Sequence, residues 1–174
     1  MPIALLVALL VAADQATKLW AQSTFALGGP GHYLGLGFYL TYVRNTGAAF
    51  GILQNGTLVL GLLSAIVSLV LTLYLVRHAR RSPRLQVAAL TLILAGALGN
   101  MIDRFRLGYV IDFIHFKVPG FSFPVFNLAD SYVVVGAGLL LLASFVGPRA
   151  KSAPAAPPVA PESEGYAQDL ERTN

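Results

Sequence analysis

The first 150 residues contain no Glu and only four acids: Asp14, Asp103, Asp112 and Asp130. The chain has no Cys, which removes thiolate nucleophiles, disulfides and Cys-based metal sites. Ser64 and Ser68 have no Lys or His near them and no G-x-S-x-G occurs, so a serine nucleophile lacks its partners. GGPGHYLGLG has glycines but neither the Lys nor the following helix of a phosphate-binding loop. His32, His78 and His115 are too scattered for a zinc motif, and Asp112-x-x-His115 offers two metal ligands without a third. What remains is carboxylate chemistry. Two Asp a few Å apart in a low-dielectric site cannot both ionise cheaply, so they share one proton near neutral pH. The ionised member takes a proton from a water molecule, which attacks a peptide carbonyl. The protonated member polarises that carbonyl and assists the leaving amine.

Each acid also has a plainer reading. Asp14 and Lys18 form an i,i+4 pair that neutralises itself on one helix face. Asp103 and Arg104 suit an interfacial pair closing a helix. In FNLADS, Asn127 is a good N-cap and Asp130 then falls at the third helical position, where a carboxylate stabilises the helix dipole. Taken alone, capping explains Asp130. Asp112 has no such account: it sits among Val110, Ile111, Phe113 and Ile114, with no cap position and no basic neighbour in the local sequence. Since a helix N-terminus favours negative charge, Asp130 is assigned as the base and Asp112 as the acid, in a pair that titrates as a unit.

The elements that must position these acids belong to a membrane protein. The chain has 174 residues, is 56% hydrophobic and only 11% charged, with mean hydropathy +0.67; an average soluble domain is roughly 25% charged. Gly56–Val76, Leu85–Ile102 and Asn127–Val146 are apolar runs close to the length of about 20 residues that crosses a bilayer. Pro2–Gln22 begins with an apolar run and then meets Asp14 and Lys18. It resembles a signal-peptide core, but it lacks a basic leading region, and Trp20 fits an interfacial anchor, so it is read as a first transmembrane helix.

RHARRSPR (Arg77–Arg84) has four Arg and no acid, which makes that link cytoplasmic by the positive-inside rule. Four spans then put both termini in the cytoplasm, in agreement with Arg149 and Lys151. The segments of about 23–55 and 104–126 fall outside, and all four Asp gather at that outer edge beside Arg44, Arg104 and Arg106. An Asp at a span's centre would cost roughly 2.5–3.5 kcal/mol, and less toward the ends.

Within the first outer segment, His32–Asn45 reads as one or two short strands lying on the membrane surface. Ala95-x-x-x-Gly99 and Gly136/Gly138 are expected to let helices approach closely. Residues 1–150 form the membrane domain; residues 151–174, Pro/Ala-rich and net acidic, form a disordered cytoplasmic tail. A pI near 9.6 reflects membrane orientation, so no nucleic-acid partner is expected. A proton- or ion-coupled transporter would spread its carboxylates across the membrane's depth. A non-catalytic lipid-binding or assembly protein would not need Asp112.

DQATK (14–18), NTGAAF (45–50), GNMIDR (99–104), VIDF (110–113) and FNLADS (126–131) occur in order, each beside an expected membrane boundary. Together they resemble the bacterial lipoprotein signal peptidase (signal peptidase II) family over residues 1 to about 147. The resemblance implies a mainly α membrane protein of four transmembrane helices. A small extracytoplasmic β-cradle, from about His32 to Phe50, would lie over the outer leaflet. The activity implied is that of an aspartyl endopeptidase of the bacterial inner membrane. It would remove the signal peptide from diacylglyceryl-modified prolipoproteins, cutting just before the lipid-bearing cysteine. In this family pattern Asp112 and Asp130 are the catalytic dyad. Asn45, Asn100, Arg104 and Asn127 shape the site and position substrate, and Asp14, Lys18 and Asp103 support it. No metal or cofactor is implied; the partners are the lipidated substrate, membrane lipids and the inhibitor globomycin.

Overall fold

The computed structural model describes residues 2–47 and 56–145. The end of NTGAAF, the rest of segment 48–55, Arg149, Lys151 and the tail 151–174 lie outside the described residues. Four helices form where the apolar runs are: α1 (Ile3–Thr24), α2 (Thr57–His78), α3 (Arg84–Leu107) and α4 (Leu128–Phe145). They have 18 to 24 residues and mean hydropathies of 1.6 to 2.5, long and apolar enough to cross a bilayer. α3 runs five residues past the expected Ile102, so Asp103 and Arg104 lie inside its last turns rather than closing it. It stops at Gly108, whose φ of 78° provides the left-handed cap that lets its N–H bond back to the Arg104 carbonyl at 3.1 Å.

α3 is the hub, packing against α1, α2 and α4, whereas α2 touches no described element but α3. The apolar core lies at Leu75, Leu90 and Leu94 between α2 and α3. α2 turns a long row of exposed Leu, Val and Ile outward, as a lipid-facing helix does. α3 and α4 approach closely because small residues meet at their contact: a Cβ on Gly136 would stand 2.7 Å from the Ala89 carbonyl oxygen. Of the expected small-residue contacts, Gly99 lies against Asp14 and Ala129 and Gly136 against α3. Gly138 corrects the expectation: no atom lies within 4 Å of where its Cβ would be. Two residues beyond Gly136, it is turned roughly 200° around the helix, away from α3.

One end of this bundle carries a four-stranded antiparallel sheet in the order β1 (His32–Gly35), β2 (Phe38–Asn45), β3 (Val110–Val118), β4 (Phe121–Ser122). His32–Asn45 forms two strands, β1 and β2, as its pattern allows. β3 was not foreseen, although its Val, Ile and Phe content favours a strand once a partner is present. Between the pairs Leu40↔Ile114 and Val43↔Asp112, β2 advances three residues while β3 advances two, which is a bulge. Beyond it Val43 faces Asp112, and Asn45, two residues on, shares that face and reaches Asp112 diagonally. The Phe126 carbonyl accepts the N–H groups of Phe113 and Ile114, tying the chain before α4 to β3. That contact delivers Asn127 to Asp112.

Candidate active site

Four elements converge on one cavity of about 1030 Å³. β3 contributes Asp112, α4 contributes Asp130, and α3 contributes Asn100 and Arg104; Asn45 of β2 completes the polar end of the wall. Residues 123–126 and Val133–Val135 supply an apolar stretch of the wall. Both carboxylates therefore line a single space that is polar at one end and apolar at the other.

The acids are joined by amides. Asn127 Nδ2 donates to Asp112 Oδ1 at 2.7 Å, and the backbone N–H of Asn127 donates to Asp130 Oδ2 at 3.1 Å. In return the Asp130 N–H donates to Asn127 Oδ1 at 2.9 Å. Asn45 Nδ2 donates to Asp112 Oδ2 at 2.9 Å, and Asn100 Nδ2 to Asp130 Oδ1 at 2.8 Å. The expected cap is real: Asn127 and Asp130 satisfy each other's N–H groups at the start of α4, in the manner of a capping box. Capping occupies Asp130 Oδ2, while Oδ1 turns toward Asn100. One carboxylate thus serves the helix and faces the cavity. Arg104, whose Nη2 donates to the Gly47 carbonyl at 3.3 Å, lines the same cavity beside both acids.

Beneath this layer is a buried cluster. Lys18 is 1% exposed and its ammonium donates to Asp14 Oδ2 at 2.9 Å, Asp103 Oδ2 at 3.0 Å and Asn100 Oδ1 at 2.9 Å. The Asp14–Lys18 pair therefore forms on its own helix face but does more than neutralise itself. Asp14 Oδ1 accepts the Ala129 N–H at 2.9 Å, satisfying an amide in the first turn of α4 from a different helix. Asp103 Oδ2 also accepts the Ile111 N–H at 3.2 Å, holding β3. The three charges pin α1, α3, α4 and β3 together at one level, and a buried charge is tolerable only when paired in this way.

Burial, and then the neighbouring Asp130 charge, push the Asp112 carboxyl up to about 7, against 3.8 for an ordinary Asp; N–H groups from Asn45 and Asn127 oppose the shift. Asp112 therefore holds its proton up to near neutral pH. The metal reading of Asp112-x-x-His115 fails on strand geometry, because residues three apart on a strand point to opposite faces. His115 instead pairs its Nε2 with Ser122 Oγ at 2.9 Å, and among the described residues no three His, Asp or Glu converge as ligands.

All nine residues singled out from the sequence gather at this end of the bundle. Two further participants were missed. Gln15 Nε2 donates to Asp103 Oδ1 at 2.9 Å and to the Gly99 carbonyl at 3.2 Å, with no sequence signal beyond its place next to Asp14. Arg44, read only as a nearby cation, lines the cavity with its guanidinium 4.8 Å from the Tyr109 ring centre and its Nε donating to Tyr42 Oη at 3.0 Å. The aromatic pair that orients it comes from two different segments.

Comparison with known proteins bears on what such a site does. The sequence profile of the family described as "Signal peptidase (SPase) II" matches residues 6–146. A lipoprotein signal peptidase of Streptococcus agalactiae serotype Ia is 43% identical over 135 residues, covering 78% of this chain and 86% of that protein. One from Nostoc punctiforme is 47% identical over 135 residues, covering 76% and 82%. A solved bacterial membrane enzyme, determined by the in meso method at 2.3 Å, superposes with a TM-score of 0.75 at 33% identity, covering 83% of this chain and 87% of that one.

Proposed function

The chain belongs to the signal peptidase II family, and on that premise we propose that it releases signal peptides from lipidated prolipoproteins by aspartyl chemistry at Asp112 and Asp130. It is an integral membrane protease of the lipoprotein signal peptidase type. The observation that carries the aspartyl reading is Asn127, which bonds both carboxylates at the wall of one cavity. Asp112 holds the shared proton and donates it toward the scissile carbonyl oxygen. Asp130, accepting N–H groups at the start of α4, takes a proton from the attacking water. As the tetrahedral intermediate collapses, Asp130 returns that proton to the leaving amine, and Asp112 recovers its own. Arg104 and Asn45 border the space where the substrate backbone lies.

The substrate is a diacylglyceryl-modified prolipoprotein cut just before its lipidated cysteine. The lipid anchors the scissile bond at the membrane edge, where water reaches the acids, and the apolar wall at Val133–Val135 receives acyl chain. The site faces the extracytoplasmic side of the bacterial inner membrane, with both termini in the cytoplasm, and globomycin competes for the cavity.

The reading is tested with purified enzyme and a lipidated prolipoprotein. Asp112→Asn and Asp130→Asn each abolish cleavage while the protein still inserts and folds; an active Asp112→Asn enzyme would refute the dyad. Mass spectrometry should find the product beginning at the modified cysteine, and a chelator should leave the rate unchanged. Because the chain lacks Cys, single-Cys variants at Tyr33 and Arg80 read topology directly: only the former should label from outside the cell membrane.

A further inference from the structure

Three Asn side chains aim N–H groups at the two acids, and each is held in that orientation by a donor on its own oxygen. An Asn amide presents an acceptor at one end and two donors at the other, so a half-turn reverses what its neighbour meets. Asn45 Oδ1 accepts the Gly47 N–H at 2.9 Å, and Asn127 Oδ1 accepts the Asp130 N–H at 2.9 Å. Both of those donors are backbone groups. Asn100 differs: its Oδ1 accepts from side chains, Lys18 Nζ at 2.9 Å and Asn127 Nδ2 at 3.1 Å.

We infer that Lys18 is a positioning residue for the reaction, whose ammonium fixes the Asn100 amide so that an N–H faces Asp130. This rests on the dyad reading above. An ammonium has donors only and a carboxylate has acceptors only. With the amide as found, Lys18 meets oxygen and Asp130 meets N–H. A reversed amide would set donor against donor at Lys18 and acceptor against acceptor at Asp130. Lys18 cannot swing aside, because its other two donors are held by Asp14 and Asp103 and it is 1% exposed. The cation thus sets the polarity of an amide that presents its N–H to the base, without touching the reacting atoms.

Removing Lys18 alone would strand two buried carboxylates, so one of them is removed with it, and the double variant keeps the wild-type cluster charge of one negative. Lys18→Met is made together with Asp103→Asn and compared with Asp103→Asn alone, reading kcat, KM and thermal unfolding in detergent. The expected result is a fall in kcat of about 30-fold, with KM held within about twofold, because the cavity wall is unchanged while the Asn100 amide has lost its cationic donor. Adding Asn100→Ala to each member of the pair should abolish the difference, since Lys18 acts through that amide. An Lys18 effect that persists undiminished in the Asn100→Ala background overturns the inference, as does a folded double variant with unchanged kcat. A failure of the dyad reading shows separately, as cleavage by Asp112→Asn or Asp130→Asn.

Discussion

At the sheet-bearing end of the bundle Asp14, Lys18, Asp103 and Asp112 are each no more than 2% exposed. At the opposite end of α3 the turn from α2 holds Arg77, Arg80, Arg81 and Arg84, all exposed and in no ion pair with a described acid. The Arg cluster is much the louder signal in the sequence, yet no described acid answers it in the fold. Its charges stay hydrated or at the headgroup level, so each is held loosely and is individually replaceable. The buried acids are fewer, but each has lost its water and depends on named donors. Dense charge goes with an exposed turn here, and buried charge goes with the cavity and the cluster beneath it.

The sharpest way to break this contrast is catalytic. Asp112→Asn and Asp130→Asn should each lower kcat by about 10³-fold or more, measured on a lipidated prolipoprotein under single-turnover conditions. Comparable losses from Arg80→Gln would dissolve the distinction.

The next effect is on stability and pH. The folded protein holds the Asp112 proton more tightly than the unfolded chain does, with its carboxyl raised from 3.8 to about 7. Its contribution to stability is therefore complete below about pH 4 and is lost as pH rises toward 7, by at most about 4 kcal/mol. Asp112→Asn should lack that slope and show the higher Tm at pH 8; parallel Tm–pH curves for the two proteins would contradict the burial argument. Cleavage should fall for the same reason as pH rises past 7, where the acid loses its proton.

Gly99→Ala should cost about 2–3 kcal/mol, read by thermal unfolding in detergent, because its Cβ would stand 2.5 Å from Asp14 Oδ2. The smallest effects belong to the Arg turn, where Arg77→Gln, Arg80→Gln and Arg81→Gln should each shift stability by less than about 0.5 kcal/mol and leave kcat within about twofold.

Much of this was legible in the residues. The four helices follow from uncharged runs of bilayer length, because a backbone without water must satisfy its own hydrogen bonds. The acids stood out because an Asp among Val, Ile and Phe is costly wherever it lies, and DQATK, GNMIDR, VIDF and FNLADS mark the segments that meet at the site. Asn127 and Asp130 were readable as a cap from spacing alone, and the cap is formed.

What the residues did not decide were matters of distant pairing. β3 exists as a strand because β2 lies beside it, and Asn45 reaches Asp112 across 67 positions of chain. That Asp14 satisfies an amide of α4, 115 positions away, has no local trace. Nor does the bulge at Leu40–Val43 that turns Asn45 toward the acid. Periodicity and composition are local sums over neighbouring residues, so they register where an element forms and which of its groups are expensive to bury. Which donor answers which acceptor is settled only when separate segments are brought to within 3 Å of one another, and the folded bundle is what does that.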